Sequence, residues 1–171
     1  LSESQRRSTG GQGTGDGLGS QGALTLNTDR NALFAVNAGS NTVAMLRISR
    51  NGLLPAVTAP SGGQRPIAVT EFDDLVFVLN EGGTPNISGL VVSGSMLQPL
   101  ARSTRMLPAG SMPAQVSFSP DGNALVVSLR GSNQLLVYLL SGQTLTGPVA
   151  SPSAGMTPFG FAFTNHGVLV V

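Results

Sequence analysis

Asp29-Arg30-Asn31-Ala32-Leu33, followed by Gly39-Ser40-Asn41, returns ninety-two positions later as Asp121-Gly122-Asn123-Ala124-Leu125 and Gly131-Ser132-Asn133, with seven identities across the thirteen residues. Between the two copies, Asp73-Asp74-Leu75-Val76-Phe77-Val78-Leu79-Asn80 follows the same course, and Thr164-Asn165-His166-Gly167-Val168-Leu169-Val170-Val171 begins it again. The period is therefore about 46 residues, in the range of β-propeller blades. A single four-stranded blade cannot bury both of its faces, so the repeat fixes the architecture before any site is considered.

Read blade by blade, the third repeat is the clearest. Ala114 to Phe118 is a short apolar strand and Ser119-Pro120-Asp121-Gly122 a turn, with Pro and Gly where a turn needs them. Strands over Ala124 to Leu129, Leu135 to Leu140 and a more polar Thr144 to Val149 complete it. The fold class expected is all-β: a propeller of four-stranded antiparallel blades, about 3.5 of them present. The expected division is an outer strand in residues 1–8, a Gly-rich loop in 9–19, blades over 20–58, 66–102 and 113–149, and the start of another over 158–171. A disordered linker is the alternative for 9–19, six of whose eleven residues are Gly.

The sequence lacks an initiator Met, and Leu1-Ser2-Glu3-Ser4-Gln5-Arg6-Arg7 does not offer the basic start and apolar core of a signal peptide. It also stops within what the repeat marks as a strand. The expectation is one part of a longer propeller, whose remaining blades are its first partner; a closed four-bladed ring is the alternative.

Composition narrows the functions. Nine basic and eight acidic residues leave a net charge of +1, no footprint for nucleic acid or an anionic membrane, and no apolar run spans a bilayer. The absence of cysteine removes disulfides, thiolate metal sites and thiol nucleophiles. Asp29, Asp73, Asp74 and Asp121 sit in turns with no calcium-loop spacing, and the glycines of 10–19 do not follow a strand and open a helix, as a phosphate loop requires. No metal or cofactor is expected. The single His, His166, falls in a hairpin turn far from the channel mouth, and no serine lies in a nucleophile-elbow context. Asn86-Ile87-Ser88 is a glycosylation sequon, relevant only in a eukaryotic secretory pathway.

In a propeller, the starts of the innermost strands and the ends of the second strands meet around the central channel. These positions give Gln21 and Asn37 in the first repeat, Gln64, Arg65, Asn80 and Glu81 in the second, and Gln115 and Arg130 in the third. Arg65 and Glu81, sixteen residues apart, are one inner strand out and the next one back. An Arg there can grip a carboxylate through two parallel hydrogen bonds, and a neighbouring carboxylate can move a proton. The pair is expected to be catalytic and the other six to bind substrate; a plain ion pair closing the blade rim is the alternative.

At the repeat level the chain resembles the seven-bladed propeller lactonases, which include 6-phosphogluconolactonase-like proteins and 3-carboxy-cis,cis-muconate cyclases. The resemblance is carried by Pro113-Ala114-Gln115-Val116-Ser117-Phe118-Ser119-Pro120-Asp121-Gly122, by Leu33-Phe34-Ala35-Val36-Asn37-Ala38-Gly39-Ser40-Asn41 and by Val76-Phe77-Val78-Leu79-Asn80-Glu81. Seven blades need roughly 320 residues at this period, so the chain corresponds to about half a ring. The resemblance implies a lactone or small carboxylated ligand at the channel. The Gly-rich run up to Ala23-Leu24 is similar to a bacterial branch carrying an export signal, which implies a periplasmic or extracellular place. It also implies Arg and Glu on one blade, matched by Arg65 and Glu81, together with an active-site His after a Pro; here Gln21 follows Ser20 instead. A secreted propeller that binds a ligand or protein without catalysis is the competing function.

Overall fold

A computed structural model describes residues 5–171. The described residues form sixteen strands and no helix, arranged in three large antiparallel sheets and one small one. The first sheet contains β1 (Leu24–Leu26), β2 (Ala32–Asn37), β3 (Thr42–Ser49), β4 (Gly52–Leu53) and β5 (Val57–Pro60). The second contains β6 (Gln64–Phe72), β7 (Leu75–Gly82), β8 (Asn86–Ser93), β9 (Met96–Pro99) and β10 (Arg105–Met106). In the third, β11 (Pro113–Phe118), β12 (Ala124–Leu129), β13 (Gln134–Ser141) and β14 (Thr144–Pro152) follow one another as neighbours. β15 (Ala162–Phe163) and β16 (Leu169–Val170) form the last. This is a partial β-propeller, with each sheet a blade read outward from its inner strand.

Two outer strands, expected to run unbroken over Leu54 to Thr58 and Leu97 to Arg102, are interrupted. In the first blade the outer position is divided between β4 and β5, with Pro55 lying in the gap, where it can donate no ladder hydrogen bond. In the second, β9 ends at Pro99 and the gap before β10 is filled by a side chain. Ser103 Oγ accepts from Gly89 N at 2.9 Å and donates to Leu100 O at 2.7 Å, replacing part of the missing ladder. Residues 1–4 of the expected N-terminal outer strand lie outside the described residues, and 5–8 are not in a strand. They run beside β4 through side chains: Gln5 Oε1 accepts from Leu53 N and Arg7 Nε donates to Leu53 O.

Apolar runs on both faces of the inner strands pack blade against blade. Phe34, Met45, Val69, Val76 and Val78 fill the contact of the first blade with the second. Ile67, Phe77, Phe118, Leu125, Leu129 and Tyr138 fill that of the second with the third, where Phe77 meets Phe118 edge-on at 5.8 Å between ring centroids.

Polar residues of the repeat hold the register between blades. Asn41, with a left-handed φ of 55°, accepts Arg65 N on Oδ1 at 2.8 Å and Ser61 N on its carbonyl at 2.9 Å. Asn133, with φ 53°, does the same for Thr157 N at 2.7 Å and Ser153 N at 2.9 Å. Asn tolerates left-handed backbone better than most residues, and its short side chain reaches the next blade. This accounts for the Asn that closes each full copy of the repeated motif.

Candidate functional site

β6, at its third residue, and β11, at its first, each carry a Pro followed by a register shift, between Pro66 and Ala68 in one and between Pro113 and Gln115 in the other. Such a bulge leaves one residue out of the ladder. The freed carbonyls are taken by the segment leading to β1. Ile67 O accepts Ser20 Oγ at 2.7 Å and Ala114 O accepts Gln21 N at 2.9 Å, while Gly22 O accepts from Val69 N at 2.8 Å. Residues 20–22 therefore run along the inner strands of the second and third blades. Ser20 and Gln21, expected at the start of an inner strand, precede β1 and bind neighbouring blades instead.

The ends of the second strands are in register. The last residues paired with the third strands are Asn37 with Thr42, Asn80 with Asn86 and Leu129 with Gln134, so the next positions in each blade are Ala38, Glu81 and Arg130. Position by position the chemistry changes from methyl to carboxylate to guanidinium. Glu81 lies between two arginines: Arg65 Nη1 is 3.4 Å from its Oε2, and Arg130 Nη2 is 3.5 Å from its Oε1. Arg65 is 42% exposed, Glu81 19% and Arg130 18%. Arg130 also stacks over Phe159 at 5.3 Å and donates from Nε to Met112 O at 3.3 Å. Two guanidinium groups against one carboxylate leave a net positive cluster, suited to an anion.

Arg65 has a left-handed backbone, φ 48°, but so do Met112 at 47° and Thr157 at 58°, which open the next two blades. That conformation is a feature of the repeat and no sign of special strain at Arg65. Its side chain is more informative: Nη2 donates to Gly17 O at 3.4 Å, and Nε is buried with no hydrogen-bond partner. Glu81 also lines a cleft of about 350 Å³ between Pro85 of the second blade and Ala109, Met112 and Pro113 at the entry to the third.

The remaining expected residues fall elsewhere. Asn37 is buried, accepting Thr9 Oγ1 at 2.6 Å and donating to Thr42 Oγ1 at 3.0 Å. Asn80 is buried beneath Gly63 and donates to Ser61 O and Asn86 Oδ1. Gln115 joins two blades, its amide bonding Phe161 O and Phe161 N at 2.9 Å each. Gln64 pairs with Gly82 and is exposed beside Gly83. Thus Arg65, Glu81 and Arg130 are brought together, while Asn37, Asn80 and Gln115 support the blades around them. His166 is exposed in the β15–β16 turn, lining a cleft at the opposite end with Ser119 and Asp121. There Ser119 Oγ donates to Asp121 Oδ1 and accepts from Ala124 N, which is turn chemistry. Among the described residues no group of three or more His, Asp or Glu could hold a metal ion.

The sequence reads 9–19 as a Gly-rich loop between blades, but not where residues 13–19 of it lie. Its glycines lie beside the charged cluster: Gly17 O meets Arg65, and a Cβ on Gly19 would lie 3.7 Å from the Arg130 guanidinium. Leu18 packs on the apolar cluster between the second and third blades. Glycine composition alone does not encode where such a loop lies; the added length before β1 is the only signal of it.

Comparison with known proteins agrees with this architecture. Residues 92–171 match the family described as lactonase, 7-bladed beta-propeller. No curated protein matches the chain in sequence. Among solved structures, a Pseudomonas aeruginosa periplasmic gluconolactonase is 20% identical with a TM-score of 0.63, covering 84% of this chain and 47% of its own. A Bacteroides fragilis protein described as a candidate 6-phosphogluconolactonase is 16% identical with a TM-score of 0.64, over 79% of this chain and 39% of its own. Hydrazine synthase of Kuenenia stuttgartiensis, at 16% identity and a TM-score of 0.64, covers 84% of this chain and 39% of its own. The chain resembles lactonase propellers and spans less than half the length of these structures; at such identities the likeness shows the fold.

Proposed function

We propose that the chain is part of a lactonase-like propeller that binds a carboxylated lactone at the channel mouth, completed by the remaining blades of the ring and working in the periplasm or outside the cell. The observation that carries this reading is Glu81 set between Arg65 and Arg130, at positions where the repeat changes chemistry from blade to blade. The family matched by residues 92–171 and the periplasmic gluconolactonase among the structural neighbours support it.

In this reading Arg65 holds the ligand carboxylate, and Arg130 faces the carbonyl oxygen on which negative charge develops. Glu81 takes a proton from water as its oxygen attacks the lactone carbonyl. The ring C–O bond then breaks, and the alkoxide leaves with that proton, giving a hydroxy acid. The second reading is a binding module without turnover. It is favoured by the engagement of both Glu81 oxygens with guanidinium groups and by the place of the only His, His166, at the far end of the blades.

Ring opening of paraconate, a γ-lactone bearing one carboxylate, followed by pH-stat with the full-length protein decides between them. Lactonase chemistry is expected to open paraconate faster than neutral γ-butyrolactone and to be lost in Glu81→Gln. Paraconate binding without turnover would select the binding module, and no binding would overturn both.

A further inference from the structure

Blade entry is built alike in the first and third repeats up to one point. The turn glycine of each accepts the incoming link in the same way: Gly39 N donates to Gln12 O and Gly131 N to Ser111 O, both at 2.8 Å. From Ser111 the inner strand begins two positions later, at Pro113; from Gln12 it begins twelve positions later, at Leu24. The extra length holds the 13–19 loop and the 20–22 segment that runs along the neighbouring blades. Both flanks of the loop are fixed, by Gln12 N on Ser40 Oγ and by Ser20 Oγ on Ile67 O. Between them, a Cβ on Gly15 or Gly17 would meet nothing within 4 Å. The contacts on the mouth are Leu18 on the apolar cluster, Gly17 O on Arg65 and Gly19 beside Arg130.

The Arg65 guanidinium has three donor groups with different fates. Nη1 faces Glu81, Nη2 holds only the long 3.4 Å bond to Gly17 O, and Nε is buried without a partner. Nε and Nη2 form one edge, the side-on fork that matches the two oxygens of a carboxylate. The Gly17 carbonyl meets only Nη2 and leaves Nε unpaired, and a buried donor left unpaired is unfavourable.

We propose that the Nε/Nη2 edge of Arg65 is a carboxylate-binding edge kept covered by the 13–19 loop, which is a lid that lifts when the ligand's carboxylate replaces the Gly17 carbonyl. This deepens, and rests on, the carboxylated-ligand reading of the site. Closure lowers apparent affinity by the fraction of molecules in the open form, and loosening the lid raises it. Leu18 is the latch; Gly15 and Gly19, with φ of 83° and 62°, are the bends on either side of it.

The test uses the full-length protein with a spin label on Asp16→Cys, a substitution that leaves the Thr14 bonds to the residue 16 backbone in place. Paraconate is expected to mobilise the label, γ-butyrolactone to leave it unchanged, and Arg65→Lys, which removes the fork, to abolish the response. Leu18→Ser is expected to tighten paraconate binding about three- to tenfold. Arg65-dependent binding with an immobile label and an unaltered Leu18→Ser affinity overturns the lid while leaving the carboxylate site standing. Absence of paraconate binding in every version, Leu18→Ser included, overturns both. Inorganic phosphate binding more tightly than paraconate overturns the assignment of the edge to a carboxylate.

Discussion

The two ends of the blades use polar residues in opposite ways. At the base, where β1 turns into β2, β6 into β7 and β11 into β12, one side chain at the end of each inner strand closes the hairpin. Asn27 Oδ1 accepts Ala32 N, Glu71 Oε1 accepts Asp74 N and Ser119 Oγ accepts Ala124 N. Residue type changes there but the task does not. At the mouth the succession Ala38, Glu81 and Arg130 changes the task itself, from filling space to carrying charge. A repeat keeps its hydrogen bonds where they build the blade and varies its side chains where several blades face one space, a contrast that sets the proposed recognition at the mouth against construction at the base.

Substitutions can break or sharpen that contrast. The largest loss of stability is expected on the constructional side, at Gly131, where a Cβ would fall 2.2 Å from Gly110 O, a backbone atom that cannot swing away. Gly131→Ala should cost about 2 to 3 kcal/mol in urea unfolding, and a neutral result would mean that the link into the third blade is not packed as described.

Arg65→Ala should do the reverse. Paraconate affinity measured by calorimetry is expected to fall about 10- to 100-fold, while stability changes by less than about 1 kcal/mol because this ion pair is partly exposed. A large stability loss with unchanged binding would move Arg65 to the constructional side. Asn133→Ala removes the acceptor of Thr157 N and places Ala in left-handed backbone, for an expected cost of about 1 to 2 kcal/mol. The same change at Asn41 should cost a similar amount, and the two should add, since the sites share no partner.

The smallest effect belongs to Glu71 at the base. Burial pushes its carboxyl above the usual 4.5, against the opposing backbone hydrogen bonds from Thr28 and Asp74. Because the folded state holds the proton more tightly than the unfolded chain, the contribution of Glu71 to stability rises as pH falls from above its raised value toward 4.5. Urea midpoints taken between neutrality and that value should show this slope in the wild type and lose it in Glu71→Gln.

The fold was legible because the repeat is written in turn residues, and turns recur wherever strands of equal length must reverse. The Arg65–Glu81 pairing was legible for the same reason: two strands of known length fix where a sixteen-residue separation ends. Arg130 was foreseen at the mouth but not as the second partner of Glu81, since that contact crosses between blades and depends on their rotation. Asn37 and Asn80 were read as ligand-facing because they end strands toward the channel. They turn inward instead, since Thr42 and Asn86 opposite them offer partners within the sheet. The interrupted outer strands were hidden for a different reason, as Pro55 and Pro99 stop a ladder without stopping the chain's direction.

The bonds of residues 20–22 bear on how the chain folds. A simple repeat array needs contacts only between neighbours and can grow from any point. Here Gln21 N is satisfied by Ala114 O, ninety-three residues further along, and a Cβ on Gly160 would lie 3.1 Å from the Gln21 side chain. That bond cannot form until the third blade has been synthesised, so during translation Gln21 has to wait for its acceptor although β1 can already pair with β2. Closing so long a loop carries an entropic cost, and it ties the segment before β1 to the third blade as well as to its neighbour.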